Sequence, residues 1–238
     1  MNVYAISDLH LPGGNLKPMD IFGPHWANHF ARVEADWRAR VRDGDVVLLP
    51  GDTCWAMQLS GALEDLAAIG ALPGRKVLLR GNHDYWWSSI SRVRSALPEG
   101  MAALQHDAVR FGDAVICGAR GWLCPGSAPL PAEDAKIYAR ELVRLSLSLA
   151  AADKLCGQGP VWRIAMLHYP PFADKDQPTE VTALLSRYGV ADAVYGHLHG
   201  AGLTGAFAGE MDGVRYHQVS CDGLGFSLYR LQRRNASA

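Results

Sequence analysis

Eight polar side chains of the kinds that bind metal ions or move protons recur in short groups along the 238-residue chain. They are Asp8, His10, Asp52, Asn82, His83, His168, His197 and His199. Carboxylate, imidazole and amide oxygen together suit borderline divalent ions such as Mn, Fe, Zn, Co or Ni. Seven candidate ligands are too many for one tetrahedral zinc ion, and they suit two ions that share a bridging ligand.

The spacing inside the groups predicts that their side chains converge. Asp8 and His10 are two positions apart, so in an extended segment both side chains point to the same side. His197 and His199 repeat this spacing, and Gly196 before them lets the backbone come close.

Apolar runs rich in Val, Ile and Leu predict the strands that position these groups. The runs cover residues 2–7, 45–50, 76–80, 114–118, 161–167 and 191–195. The polar groups follow the first, second, third, fifth and sixth runs. In an open α/β sheet, ligands bind at the carboxyl ends of the strands. We therefore expect five strand ends to deliver their side chains to one place.

Amphipathic helical segments separate several of these strands and predict a largely parallel α/β core. Their apolar residues recur at steps of three or four over residues 26–41, 59–69, 138–149 and 181–188. After residue 200, short segments near 203–208, 213–220 and 224–231 lie between Gly-rich turns and predict a terminal antiparallel meander. We expect one domain over residues 1–238, with 233–238 as a flexible tail.

The composition is ordinary for a globular protein and limits the classes of partner. Hydrophobic residues make up 49% of the chain, and the formal net charge is −1. A charge this small predicts no extended nucleic-acid surface. The chain lacks a signal-peptide pattern and an apolar run of membrane-spanning length, and its five cysteines form no CxxC pair. These features predict a cytoplasmic protein without membrane insertion, disulfide framework or thiolate zinc site.

The order of the polar motifs resembles that of the metallophosphoesterase (calcineurin-like phosphoesterase) superfamily. Asp-x-His, Gly-Asp, Gly-Asn-His-Asp, a lone His and Gly-His-x-His follow one another, with their polar residues spanning 8–199. The strings GDTCWAM at 51–57, RGNHDYWW at 80–87 and RGW at 120–122 also resemble a bacterial subgroup of predicted phosphohydrolases. The resemblance implies an α/β fold of four layers, an αββα sandwich with two mixed sheets and antiparallel strands at the C-terminal end.

The resemblance also implies a role for each polar residue. The first metal ion would be held by Asp8, His10 and His199, the second by Asn82, His168 and His197, and Asp52 would bridge the two. His83 would stand outside the ligand set and face the substrate as general acid or transition-state stabiliser. Asp84 would act with it in catalysis or orient the local backbone or a neighbouring imidazole.

The implied reaction is hydrolysis of a phosphodiester or phosphomonoester of a small molecule or nucleotide. Two divalent ions, with Mn the expected choice in vitro, would lower the pKa of a bridging water, and the resulting hydroxide would attack phosphorus in line. Superfamily members with the same ligands hydrolyse many kinds of phosphate compound, so the physiological substrate, the native metal pair and the oligomeric state stay open.

Several side chains near these loops are candidates for binding the substrate. Arg80 and Arg120 either clamp a phosphate, which guanidinium binds bidentately, or form structural ion pairs. His25 and His29 are four positions apart at a helix start, so they are expected to share a face. The aromatic candidates form a wall for a base, sugar or acyl group, or pack the loops onto the core. They are Trp55, Trp86 and Trp122.

Three alternatives accompany the phosphoesterase interpretation. Interaction scaffolds with this fold are depleted in the ligand set, whereas this chain keeps the complete set and His83. Double-strand-break nucleases with similar motifs are longer and append a capping domain. A pyrophosphatase acting on a nucleotide-linked lipid precursor needs an apolar lid. Residues 121–152 are the candidate lid, although their apolar stripe also fits a core-facing crossover helix.

Overall fold

Two β-sheets lie face to face in the chain, which a computed structural model describes for residues 1–14, 18–157, 161–174 and 177–233. Apolar side chains from both sheets meet between them; Val46 and Leu48 of one sheet and Ile116 and Ile164 of the other are completely buried there. Most of the tail predicted at 233–238 lies outside the described residues.

The first sheet has five strands. Their bounds are Val3–Ala5 (β1), Val46–Leu49 (β2), Arg75–Leu78 (β3), Met101–Ala103 (β4) and Tyr229–Leu231 (β11). Strands β1 to β4 are parallel and lie side by side in that order, and β11 pairs antiparallel with β1 at the edge. All four residues of β2 are buried, as expected for a parallel strand that is covered on both faces.

The second sheet has six strands. Their bounds are Ala108–Phe111 (β5), Ala114–Ala119 (β6), Trp162–Leu167 (β7), Asp192–Tyr195 (β8), Gly209–Met211 (β9) and Val214–Gln218 (β10). The spatial order is β5-β6-β7-β8-β10-β9, with a parallel centre and an antiparallel strand at each edge. Both sheets are therefore mixed, as the resemblance implied.

The strands after residue 200 do not form the predicted meander. The first half of the segment near 203–208 lies in a 3₁₀ helix, Gly200–Gly205, and the second half is not a strand. Antiparallel pairs are present, but β9 and β10 form a hairpin on the second sheet while β11 joins the first. In addition, β10 runs parallel to β8. A local apolar pattern identifies a strand, but it does not say which distant strand will be its partner.

Within the described residues, five α-helices cover the outer faces of the two sheets. They are His29–Arg40 (α1), Leu59–Gly70 (α2), Ile90–Ala96 (α3), Ala132–Cys156 (α4) and Glu180–Arg187 (α5). Helices α1 to α3 bury apolar side chains such as Trp37 and Leu66 against the first sheet. Helices α4 and α5 do the same on the second sheet with Leu149 and Leu185. The four layers are thus helices, sheet, sheet and helices.

Helix α4 is a crossover and not a lid. It connects the parallel strands β6 and β7, and its side chains Tyr138, Leu145 and Leu149 are buried against the second sheet. The apolar stripe of α4 therefore fits the core-facing crossover, the second of the two alternatives, because the sheet already covers it. No helix within the described ranges combines the length and the apolar character needed to cross a membrane.

Candidate metal centre

The predicted ligands stand at the carboxyl ends of five parallel strands, as expected from the sequence. Asp8 and His10 follow β1, Asp52 follows β2, Asn82 follows β3, His168 follows β7, and His197 and His199 follow β8. Because the sheets pack face to face with these ends on the same side, ligands from both sheets reach a common centre.

Asp8, His10 and His199 form a first group of ligand atoms. The Nε2 atoms of His10 and His199 lie 3.3 Å apart, and Nε2 of His199 lies 3.3 Å from Oδ1 of Asp8. Nε2 of His10 lies 4.0 Å from the same oxygen. The ligand atoms of the group are within 4.8 Å of one another, close enough for one metal ion.

A second group surrounds the side-chain oxygen of Asn82. Its Oδ1 lies 2.6 Å from Nε2 of His168 and 2.9 Å from Nδ1 of His197. Asp52 stands between the two groups, since its Oδ2 lies 3.5 Å from Nε2 of His168 and 3.9 Å from Nε2 of His10. This is the position that a bridging carboxylate requires.

Four ligand candidates have left-handed backbone conformations. The φ angle is 60° at Asp8, 45° at His10, 52° at Asp52 and 70° at His197. Positive φ at a non-glycine residue costs on the order of 1–3 kcal/mol and persists where the surroundings impose it. The prediction of an extended segment at Asp8 and His10 was therefore wrong. Their side chains converge through left-handed turns instead of strand alternation.

The carboxylate of Asp8 is completely buried and held by several donors. The hydroxyl of Ser7 donates to it, as do the hydroxyl of Ser220 at 3.1 Å and the backbone N–H of His197 at 3.0 Å. A Cβ at Gly196 would collide with Ser7 and with the carboxylate of Asp8, which confirms the predicted close approach. These contacts fix the end of β1 in the first sheet against the end of β8 in the second.

Acceptors outside the ligand set orient two of the imidazoles. Nδ1 of His168 lies 3.0 Å from the carbonyl oxygen of Pro50, so it donates there and leaves the lone pair of Nε2 facing the centre. Nδ1 of His199 lies 2.9 Å from Oδ1 of Asp222. The sequence analysis missed Asp222, although its position just after the predicted segment 213–220 was a usable signal.

Burial opposes ionisation of both carboxylates of the centre, but their neighbours shift the two pKa values in opposite directions. Burial, with repulsion from Asp8 and Asp84, raises the pKa of Asp52 to about 9. Burial also opposes ionisation of Asp8, but the hydrogen bond from His199 and the nearby imidazoles outweigh it and keep the pKa of Asp8 below its usual value.

The pKa values of the imidazoles are also shifted in different directions. Burial lowers the pKa of His10 to about 3 and the pKa of His168 to about 4, so both rings are neutral near pH 7. Burial also opposes protonation of His199, but the hydrogen bonds to Asp222 and Asp8 outweigh it and raise the pKa of His199 to about 10.

The donor set fits divalent metal ions. With Nδ1 of His168 donating to Pro50, its Nε2 and the Oδ1 of Asn82 are two acceptors that face each other at 2.6 Å, and a cation between them relieves their repulsion. The two buried carboxylates, Asp8 and Asp52, likewise favour a positive charge. Imidazole, carboxylate and amide oxygen are the donors that borderline divalent ions accept.

Comparisons with known proteins identify the family of the chain. The family model described as calcineurin-like phosphoesterase matches residues 1–201. The chain belongs to this family. Among solved structures, a protein of unknown function from Aquifex aeolicus is similar over 96% of this chain and 95% of its own, with a TM-score of 0.51 and 14% identity. That likeness shows the fold alone. A search of curated proteins found no match.

His83 lies beside the first ligand group. Its ring centroid is 5.7 Å from that of His10 and 4.7 Å from that of Trp55. Its backbone N–H donates to Oδ1 of Asp52 at 2.8 Å, which ties its loop to the centre. The side chain lines a cavity and belongs to neither group of clustered metal ligands.

This aromatic cavity has a volume of about 340 Å³ and opens beside the first ligand group. Besides His10 and His199, it is lined by Met19, Phe22, His25, Trp26, Trp55, His83, Gly200 and Asp222. Trp55 stacks on His10 with ring centroids 4.7 Å apart. The volume falls at the lower end of the roughly 300–1,000 Å³ of cavities that hold small organic ligands.

His25 and His29 do not share the predicted helix face. Helix α1 begins at His29, after Asn28 in the left-handed conformation with φ of 52°, and His25 lies in the preceding 3₁₀ helix Pro24–Trp26. His25 lines the aromatic cavity, whereas Nε2 of His29 lies 2.8 Å from the carbonyl oxygen of Leu9. Of the two, only His25 is placed to touch a ligand in this cavity.

Two of the three tryptophan candidates pack their loops onto the core. Trp86 is 1% exposed, and its indole N–H donates to Asp84 at 2.9 Å, so it does not form a wall of the cavity. The indole of Trp122 donates to Asp134 at 3.0 Å and lies beneath the guanidinium of Arg120. Trp55 is the member of the trio that lines the aromatic cavity.

Asp84 holds the backbones of two ligand loops together. It is completely buried, and it accepts hydrogen bonds from the backbone N–H groups of Asp52 at 2.9 Å, Thr53 at 2.8 Å and Gly81 at 2.7 Å. Because this carboxylate is buried and its oxygens already accept these hydrogen bonds, it has no exposed surface that a substrate could contact. We therefore interpret Asp84 as a positioning residue, which is the second of its two predicted roles.

Substitution Asp84→Asn should destabilise the metal-free protein by on the order of 3 kcal/mol, because the amide cannot accept all of these buried N–H groups. The free energy of unfolding in urea measures this loss. Asp20→Asn, at an exposed position, is the matched control and should behave like the wild type. Equal stability of the Asp84 and Asp20 variants would contradict the proposed role.

Metal binding should release about two protons near pH 7. The pKa of Asp52 is about 9 and that of His199 about 10, so without metal both groups are protonated at neutral pH, and both must lose the proton to bind a metal ion. Affinity for Mn²⁺ should therefore rise with pH between 6 and 9. Calorimetry in buffers of different ionisation enthalpy counts the protons, and an affinity independent of pH would contradict the assignment.

Proposed function

We propose that this chain is a dinuclear-metal-dependent hydrolase of phosphodiesters or phosphomonoesters of small molecules or nucleotides. The observation that carries the proposal is the convergence of two ligand groups on Asp52, with His83 beside them and outside both. A binding scaffold needs no such residue next to its metal ligands. The intact set therefore favours an enzyme.

The ligands divide between two metal ions in this proposal. Asp8, His10 and His199 hold the first, Asn82, His168 and His197 hold the second, and Asp52 bridges them. Two divalent ions, with Mn the first choice in vitro, supply charge neutralisation at the phosphoryl oxygens and activation of water.

The remaining work falls to side chains of the aromatic cavity. His83 faces the cavity next to the metal ligands and gives a proton to the leaving oxygen or stabilises the transition state. Trp55 packs against both His83 and His10, which limits the movement of the two rings. The leaving group lies in the cavity, where its aromatic walls exclude water.

An activity screen of the purified, Mn-loaded protein tests this function. Substrates should include p-nitrophenyl phosphate, its bis-ester and nucleotide pyrophosphates, because the ligand set alone does not select among these classes. Hydrolysis should require added metal and stop when a chelator removes it. If none of the substrates is turned over although two metal ions are bound, a non-catalytic interaction scaffold becomes the better interpretation.

A further inference from the structure

A second pocket lies on the same edge of the sandwich as the metal centre, one strand further along each sheet. Its walls come from the carboxyl ends of β3, β4 and β6 and from α4. Its polar lining residues are Arg80, Gln105, His106, Arg120, Glu141 and Arg144. The volume is about 150 Å³, smaller than the roughly 300–1,000 Å³ of sites for whole organic ligands and suited to one small group.

Three guanidinium groups and one carboxylate line this arginine pocket, and two of the three pair with the carboxylate. Glu141 is 3% exposed; its Oε1 lies 2.6 Å from Nη1 of Arg144 and 3.6 Å from Nη2 of Arg120. Its other oxygen accepts the backbone N–H of Gly121 at 3.2 Å. Arg80 forms no ion pair with any residue in the described part of the chain. The pocket therefore has an excess of positive charge.

Two of these guanidinium groups also have unused donors inside the protein. The Nε atoms of Arg80 and Arg120 are buried and have no hydrogen-bond partner among the described residues. A buried donor without an acceptor is costly, and like charges repel strongly away from water. Burial lowers the pKa of His106 on the same wall, and the positive charge of Arg144 lowers it further. An anionic group in the pocket would supply the missing acceptor and charge.

The arginine pocket is directly connected to the proposed metal ligands. The carbonyl oxygen of Arg120 accepts the backbone N–H groups of His168 at 3.0 Å and Tyr169 at 2.9 Å. Arg80 stands two residues before Asn82. A molecule bound at the second ligand group therefore has the pocket as its neighbour on this edge.

We propose that the arginine pocket binds a second anionic group of the substrate, a phosphate or a carboxylate, while the scissile phosphate lies at the metal centre. Guanidinium groups bind either anion bidentately. The preferred substrates are then bisphosphates or phosphorylated carboxylic acids. This inference rests on the proposed function, which makes the metal centre the site of hydrolysis.

Binding of small anions to the metal-free protein tests the pocket by itself. Inorganic phosphate and acetate, titrated by calorimetry after chelation, distinguish the two kinds of anion. At least one should bind, and Arg144→Gln should weaken its binding roughly 10–100-fold, the worth of a hydrogen bond between charged groups. Glu141→Gln should tighten binding, because it removes the competing carboxylate.

Arg38→Gln is the matched control for the arginine substitution. Arg38 is exposed on α1 and pairs with Glu34, so its loss should leave anion binding unchanged. If neither anion binds to the wild type, or if Arg144→Gln binds as well as Arg38→Gln, the pocket is not an anion site.

Inhibition of the Mn-loaded enzyme tests the connection to the substrate. Alkane bisphosphates of increasing chain length, and analogues with a carboxylate at the far end, compete with bis(p-nitrophenyl) phosphate. At one length the doubly anionic inhibitor should bind at least about ten-fold more tightly than the alkyl monophosphate, and Arg144→Gln should abolish this ratio. A ratio near one at every length overturns the proposal.

The two proposals fail in different ways. If the metal-loaded protein hydrolyses no ester while the metal-free chain binds phosphate through Arg144, the proposed function and the substrate role of the pocket are both wrong. If esters are hydrolysed and the inhibitor ratio stays near one, the proposed function stands and the inference about the pocket does not.

Discussion

Substitution His83→Ala should lower kcat by roughly 10²–10⁴-fold while the protein keeps its bound metal. The side chain lines the aromatic cavity beside His10 and belongs to neither group of clustered ligands. The contact of this residue with Asp52 is made by its backbone N–H, which alanine retains. Loss of the imidazole should therefore remove the proposed proton donor without disturbing Asp52, the proposed bridging ligand.

Steady-state kinetics and metal analysis on the same preparation check this expectation. His217→Gln is the control, because His217 lies in β10 and pairs with Asp192, away from the aromatic cavity. Its kcat should stay close to that of the wild type. If His83→Ala loses metal in proportion to activity, His83 is a ligand and its assigned role is wrong.

Substitution Asp52→Asn should weaken binding of both metal ions together and reduce hydrolysis to background. Asn keeps the size of the side chain and an oxygen that accepts the N–H of His83, but it removes the negative charge between His10 and His168. Changes to residues that only orient a ligand cost about 10–100-fold in metal affinity, so loss of a shared ligand should cost at least this much.

Asp222→Asn is the informative comparison for this loss. In the described structure, Asp222 contacts His199 and no ligand of the second group. Its substitution should therefore weaken binding of the first metal ion and leave binding of the second unchanged. Elemental analysis after gel filtration gives the number of ions per chain. Two retained ions in Asp52→Asn would rule out a bridging role for this carboxylate.

Much of the centre could be predicted because motif residues follow strands. Five polar groups after apolar runs imply one location, since the carboxyl ends of parallel strands meet at one edge. The sequence analysis did not predict β4, β5 or α3. These are short elements, and short apolar segments carry little periodic signal.

The errors arose where contacts distant in the sequence override local preference. Asp8 and His10 are two positions apart, which suggested an extended segment, yet both are left-handed because the crowded strand ends hold them so. Trp26 fits the apolar stripe of α1, but Asn28, in the left-handed conformation, separates it from the helix, which begins at His29. Neither outcome can be derived from the pattern of neighbouring residues.

The sequence by itself determined the types of the metal-binding side chains, their order and their placement after strands, because these depend on residue identity and local periodicity. Only the tertiary structure decided which side chains share a group, that Asp84 holds two loops, that Asp222 orients His199, and that three arginines line one pocket with Glu141. Most of these relations join residues that are tens of positions or more apart in the sequence. They depend on which strand ends are neighbours within each sheet and on the face-to-face packing of the two sheets.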